Sequence, residues 1–299
     1  MTSICTGNQP FGPITIKTRA PTLIPRPETE DWTIRLASLL EDRFPPQGGV
    51  ERRALRILDL CTGTGCIPIL LSHLRRQAGG ITVAYGVDIS ADAVALAREN
   101  ATDLSLTASS GLGCLAFDDD DTEAGTEAEA MGEPDGRANH CRGTADPIGT
   151  NAVDDGHRST LDVMCADILQ EDFVKLVLSR MQPPFDVITS NPPYIPLDEY
   201  RRLPNSVKEW EDRRALLGDP PTRRSEDTSP KGPGLAFYHR IAQIVSIEGV
   251  LGANGVVALE VGHTQAEAVR EILEESGRVS ATEVWEDPWG VPRLVVGYR

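Results

Sequence analysis

Asp59-Leu60-Cys61-Thr62-Gly63-Thr64-Gly65-Cys66-Ile67-Pro68 decides the fold of this chain. It closes a β-rich run over 54–60 and opens an apolar, helix-like stretch over 67–76, so strand, glycine turn and helix start follow one another. Glycines at 63 and 65 let the backbone pass close to a ligand with no Cβ in the way. In a dinucleotide-binding loop the third small residue of Gly-x-Gly-x-x-Gly would stand at position 68. Proline stands there, which argues against a pyrophosphate site and so against a dehydrogenase.

The same alternation continues outward. Further β-rich runs lie at 81–87, 161–165, 185–189, 255–261, 281–285 and 293–297, giving seven expected strands. Helical stretches at 67–76, 91–100 behind a Ser90 cap, 171–181, 235–251 and 264–276 follow most of them. The pattern predicts an α/β fold with a mostly parallel sheet. The last two strands are separated only by residues 286–292, too few for a helix, so they are expected to form an antiparallel hairpin. Ahead of the first strand, 14–18 alternates apolar and polar residues, and a second short run at 23–24 beyond Pro21 predicts a small β-hairpin. Pro25-Arg26-Pro27-Glu28-Thr29-Glu30 then leads into a helix reaching about Asp42. The expected organisation is a hairpin and connecting helix over 1–45 and a larger domain over 46–299.

Composition bounds the function. Among 299 residues no apolar run approaches the roughly 18 needed to span a membrane. The six cysteines form no Cys-x-x-Cys pair and the five histidines are dispersed, so no metal site is expected and the thiols read as reduced. A net charge of −16 argues against a broad basic nucleic-acid face. That charge is uneven: twelve acidic residues between Asp118 and Asp155 meet only Arg137 and Arg142, so this stretch carries −10 and the remainder −6. Rich in Gly, Ala, Thr and Asp, the segment 105–159 reads as a disordered acidic insertion. A second loop is expected at 218–234.

Chemistry gathers at the expected strand ends. The second strand closes on Gly86-Val87-Asp88-Ile89-Ser90, where Asp88 is placed to accept both hydroxyls of a ribose. The third closes on Cys165-Ala166-Asp167-Ile168-Leu169, where Asp167, beside apolar Ile168, is placed to take an adenine amino hydrogen. Together with the glycine turn these form a nucleoside-shaped constellation. The fourth strand stops at Asn191-Pro192-Pro193-Tyr194-Ile195-Pro196. Two successive prolines remove two backbone donors, Asn191 adds a side-chain carbonyl and Tyr194 a flat ring. Such an acceptor-rich turn suits a planar NH₂ group held beside an electrophile such as a sulfonium methyl. An amide nitrogen is a poor nucleophile, so a site of this kind works by positioning and by its dry, polar surroundings.

These residues resemble the class I S-adenosylmethionine-dependent methyltransferases, and within them the HemK/PrmC group of protein-(glutamine-N5) methyltransferases. Residues 25–30 are similar to that group's proline-glutamate signature, 59–65 to its methionine-binding loop and 191–194 to its catalytic tetrad. Leu235-Ala236-Phe237-Tyr238, Leu259-Glu260-Val261-Gly262 with Gln265, and 287–297 extend the likeness. The resemblance implies a Rossmann-like sheet and methyl transfer from S-adenosyl-L-methionine to the glutamine of a Gly-Gly-Gln loop in a peptide-chain release factor, with no direct nucleic-acid binding and no membrane contact. By this resemblance Asn191, Pro192, Pro193 and Tyr194 are catalytic. Asp59, Thr62, Gly63, Gly65, Asp88, Ile89, Asp167, Ile168 and Asn191 contact the donor. Arg26, Pro27 and Glu28, with Asn191, Pro192 and Tyr194, face the substrate.

Two departures stand out. About a dozen residues precede the expected hairpin, where the family carries a helical domain that is expected to be missing here. Where the family tends to show Asp-Gly-Leu, this chain reads Gly232-Pro233-Gly234-Leu235. The family's eukaryotic members with the proline-glutamate signature act on organellar release factors, which implies a mitochondrial location. The first sixteen residues contain no Arg or Lys and so show no transit peptide, leaving the cytoplasm as the alternative. Two other functions share the motif: an exocyclic-amino methyltransferase of nucleic acid, with Arg201, Arg202, Arg213, Arg214, Arg223 and Arg224 as its basic patch, or a catalytically silent nucleoside-binding module.

Overall fold

Strands buried on both faces read as continuous apolar runs, and the sheet shows why. In the computed structural model, which describes residues 7–46, 53–106, 158–219 and 233–299, odd and even positions of one strand feed two different cores. Ile57, Val187, Val256 and Val296 face one layer, while Leu58, Ile188, Val257 and Val295 face the other.

The chain begins with an antiparallel hairpin, β1 (Asn8–Phe11) and β2 (Ile14–Lys17), and a helix, α1 (Pro27–Arg43). There follow β3 (Leu55–Leu60), α2 (Cys66–Gln77), β4 (Thr82–Asp88), α3 (Ala91–Asp103) and β5 (Thr160–Cys165). A π-helical turn (Val174–Leu178) runs into a short helix, α4 (Ser179–Met181), ahead of β6 (Phe185–Ser190). Three further short helices, α5 (Leu197–Arg202), α6 (Asn205–Lys208) and α7 (Arg213–Leu216), come before α8 (Ala236–Ser246) and β7 (Leu251–Glu260). The chain closes with α9 (Ala266–Glu275), β8 (Ala281–Glu286) and β9 (Pro292–Tyr298).

Among the described residues the main sheet has the order β5-β4-β3-β6-β7-β9-β8, parallel up to β7 and antiparallel at β9 and β8. From β3 the chain winds to β4 and β5 on one side, and from β6 to β7 on the other. The crevice between the carboxyl ends of β3 and β6 is therefore the topological switch point, where open α/β sheets bind ligands.

Several expectations change. The partner of Ile14–Lys17 is the preceding Asn8–Phe11, not residues 23–24, because Gly12 turns the chain there at φ +59°. The helix expected over 235–251 ends at Ser246, and β7 begins at Leu251, after Gly249 reverses the chain at φ +82°. The helix expected over 171–181 is a π turn followed by three helical residues. Helix α1 packs on the main sheet: its Trp32, Leu36 and Leu40 share one buried layer with β3, α2, β7 and β9. Most of the acidic segment, 107–157, lies outside the described residues. Its described ends belong to the fold: Leu106 is buried, and the buried Ser159 Oγ accepts the Thr82 N–H at 3.1 Å.

Candidate active site

The turn after β3 is shaped by three alternating residues. Cys61, Gly63 and Gly65 all have positive φ, and the Thr62 N–H donates to the Val87 carbonyl, tying the turn to the end of β4. A Cβ built on Gly63 meets nothing within 4 Å, so its backbone borders open space, whereas one on Gly65 would press on Ala97 and Ile69 at 3.2 Å. Asp59, fully buried, accepts the hydroxyls of Thr62 and of Thr189 on β6, each at 2.6 Å. Burial lifts its carboxyl to about 7 against the pull of those two hydroxyls.

Asp88 closes β4. Its Oδ2 accepts the Gly63 N–H at 2.8 Å and its Oδ1 the Ser90 N–H at 2.9 Å, while burial raises its carboxyl above the usual range. A carboxylate has about four lone pairs, so both oxygens retain capacity for a ligand. Ile89 beside it is exposed at 43%, an apolar surface at the mouth of the crevice. Asp167 sits one strand over, its Oδ1 accepting the Leu169 N–H at 2.9 Å and its Oδ2 facing Gln170 Nε2 at 3.4 Å. Ile168 beside it is buried in the core, and its carbonyl accepts from Arg240 Nε at 2.7 Å. The exposed apolar side chain at this edge is Ile89.

The turn after β6 lies directly across the switch point. Pro192 and Pro193 are buried, and Asn191 and Tyr194 are half-buried. Behind Tyr194 the backbone is crowded. The Gln265 amide donates to its carbonyl at 3.0 Å, a Cβ on Gly234 would collide with that same oxygen, and one on Gly218 would come within 2.8 Å of both Tyr194 C and Gly234 Cα. Asp219 Oδ1 accepts the Gly234 N–H at 2.7 Å, tying together the two ends of the expected loop, of which 220–232 lie outside the described residues. Burial raises the Tyr194 phenol well above its ordinary value, and Glu260 adds to the shift.

Arg26, just before α1, grips both oxygens of the buried Glu211 carboxylate through Nη2, at 2.6 and 2.8 Å. Pro27 opens α1, and Glu28 lies 3.9 Å from Arg293 on β9. The charges of Arg293, Arg26 and Glu28 all act on the Tyr194 phenol.

A release factor glutamine methyltransferase of Lactococcus lactis subsp. lactis is 27% identical over 285 residues, 95% of this chain and 72% of the relative. One of Thermodesulfovibrio yellowstonii is 28% identical over 286 residues, 96% of this chain and 72% of the relative. Over nearly its whole length the chain is similar to release factor glutamine methyltransferases. No protein-family model matches it. Among solved structures, a human methyltransferase 10 domain containing protein superposes with a TM-score of 0.51 at 12% identity, over 94% of this chain and 87% of that one. That likeness shows a methyltransferase-type fold.

Other placements bear on function. In the candidate basic patch Arg201 pairs with Asp198, Arg214 pairs with Asp212, and Arg213 lies over the Tyr200 ring. Arg223 and Arg224 lie outside the described residues. No group of His, Cys, Asp and Glu that could hold a metal occurs among the described residues, and no described helix is long and apolar enough to cross a membrane. Glu260 received no role from the sequence. It is 3% exposed at the end of β7, accepts the Thr29 hydroxyl at 2.6 Å and the Trp32 indole N–H at 2.8 Å, and is raised in pKa by burial. A signal existed: it is a carboxylate closing an apolar strand, as Asp88 is.

Proposed function

We propose that this protein methylates the side-chain amide of the glutamine in the Gly-Gly-Gln loop of a peptide-chain release factor, using S-adenosyl-L-methionine. The observation that carries this reading is the Asn191–Tyr194 turn at the switch point of the sheet, facing the Gly63–Asp88 turn, in a chain homologous over more than nine-tenths of its length to proteins of that name.

The residues at the end of β3 and β4 fit the donor. Gly63 leaves open the space a Cβ would fill, Gly65, Thr62 and Asp59 fix the turn, Asp88 has acceptor capacity for a ribose, and Ile89 offers an apolar face for a base. Asp167 would accept from the amino edge of that base. The donor brings an electrophilic methyl group; the chain supplies everything else. Asn191 Oδ1 and the Pro192 carbonyl would accept the two hydrogens of the substrate amide, holding its nitrogen and shifting electron density onto it. Pro193 stiffens that turn, and the Tyr194 ring would pack on the planar amide. Arg26, Pro27 and Glu28 would border the entry of the substrate loop. None of the acceptors is a strong base, so the rate gain comes from orientation and the exclusion of water.

Transfer of labelled methyl to a purified release factor tests this, with a Gln→Ala loop variant and a nucleic acid as controls. Label only on the intact loop is expected. Label on nucleic acid would replace this function by amino methylation of a base, and donor binding without any transfer would mark a silent binding module.

A further inference from the structure

Thr29 has one hydroxyl proton and two polar neighbours. Its Oγ1 lies 2.6 Å from Glu260 Oε2 on one side and 3.5 Å from Asn191 Nδ2 on the other. The same Oε2 faces the Trp32 indole N–H at 2.8 Å, and an indole N–H only donates. With Glu260 ionised, both bonds at Oε2 are accepted ones, so the Thr29 proton goes to it and what Thr29 offers toward Asn191 is a lone pair. A primary amide facing a lone pair presents its NH₂ group and turns its carbonyl the opposite way.

We propose that Thr29, oriented by Glu260 and Trp32, is a positioning residue that fixes which end of the Asn191 side-chain amide faces the cleft. Asn191 Oδ1 is thereby presented as the acceptor for the substrate NH₂. The flipped amide would set its oxygen against the Thr29 lone pair and offer the substrate a donor where it needs an acceptor. The proposal rests on the function above, which makes Asn191 the acceptor for the substrate amide.

The frame that enforces this orientation is rigid and comes from elements other than the one that carries Asn191. Thr29 and Trp32 stand one turn apart on α1, each 2% exposed, and both reach the end of β7. The Glu260 backbone carbonyl is itself fixed by the buried Tyr238 hydroxyl at 2.8 Å, and the Thr33 hydroxyl donates to the Thr29 carbonyl at 2.6 Å. At 3.5 Å the contact to Asn191 biases the amide without clamping it, so a moderate effect is expected.

The experiment uses the full chain with Thr29→Val, which removes the hydroxyl at constant shape, and Thr29→Ser, which restores it. Three quantities are read: kcat for methyl transfer to a release factor, donor Kd, and the side-chain amide ¹H–¹⁵N resonances of Asn191, assigned by their loss in Asn191→Asp. Thr29→Val is expected to lower kcat roughly tenfold, as loss of one modest hydrogen bond does, with donor Kd within about twofold and the amide resonances shifted. Thr29→Ser is expected to restore both. A folded Thr29→Val with wild-type kcat and unshifted resonances overturns the proposal, as does a parallel loss of donor binding. Thr29→Ala serves in the same assays should the Val variant not fold. If the wild-type chain transfers no methyl to glutamine, the proposed function fails, while the amide resonances still decide the orientation on their own.

Discussion

Gly63 donates its backbone N–H to Asp88 Oδ2 at 2.8 Å, locking the turn after β3 to the carboxylate that closes β4. Ser90 holds the other oxygen, so Asp88 is fixed from both sides before any ligand arrives. Replacing it by alanine removes the ribose acceptor and frees two backbone donors. Hydrogen bonds to a charged group contribute about 1.5–3 kcal/mol, so Asp88→Ala is expected to weaken donor affinity by roughly 10- to 100-fold in calorimetry. Unchanged affinity would place the ribose contact elsewhere.

Asn191→Ala separates the two halves of the site. The side chain touches Thr29, and its proposed partner is the nucleophile. Methyl transfer is expected to fall below detection while donor Kd stays within about twofold, since only a contact made to the reacting amide is lost. A matching fall in donor affinity would make Asn191 a donor ligand instead.

How far the site was legible follows from distance along the chain. Asp88 ends β4, Asn191 directly follows β6 and Gly63 lies in the turn after β3, all strands of a sheet buried on both faces, so continuous apolar runs mark the strands and the residues at their carboxyl ends mark the crevice. Thr29 and Glu260 are 231 positions apart, and no local pattern announces their hydrogen bond. The hairpin pairs differently from the expectation for a local reason: Pro21 reads as a turn former, while Gly12 makes the turn with a positive φ. The packing of Gly218 and Gly234 behind Tyr194 is equally long-range, and in sequence both look like ordinary loop glycines.

That packing gives a paired prediction. Gly249 and Gly234 both have positive φ, +82° and +77°, but a Cβ meets nothing within 4 Å at Gly249, whereas at Gly234 it would collide with the Tyr194 carbonyl and come 2.7 Å from Gln265 Nε2. Gly249→Ala is expected to cost about 1 kcal/mol from backbone strain alone and to leave turnover unchanged. Gly234→Ala is expected to cost more and to lower kcat by displacing the Asn-Pro-Pro-Tyr turn. Denaturant midpoints and turnover of the two variants decide it, and equal behaviour in both would mean that the contact behind Tyr194 yields freely.

Asp59 makes stability depend on pH in a direction unusual for a carboxylate. Unfolded it titrates near 3.8; folded, burial moves it to about 7, despite the hydroxyls of Thr62 and Thr189 on its two oxygens. Below the lower value both states are protonated. Between the two the folded state binds the extra proton, so stability falls as pH rises and the loss is complete above the higher value. Asp88, Glu211 and Glu260 shift the same way, so the test is a comparison with Asp59→Asn and not the raw profile. The wild type is expected to lose stability relative to Asp59→Asn between about pH 4 and 7, by at most roughly 4 kcal/mol, with the difference flat above about pH 8. Denaturant unfolding across that range measures it, and parallel profiles would mean that Asp59 remains ionised in the folded protein.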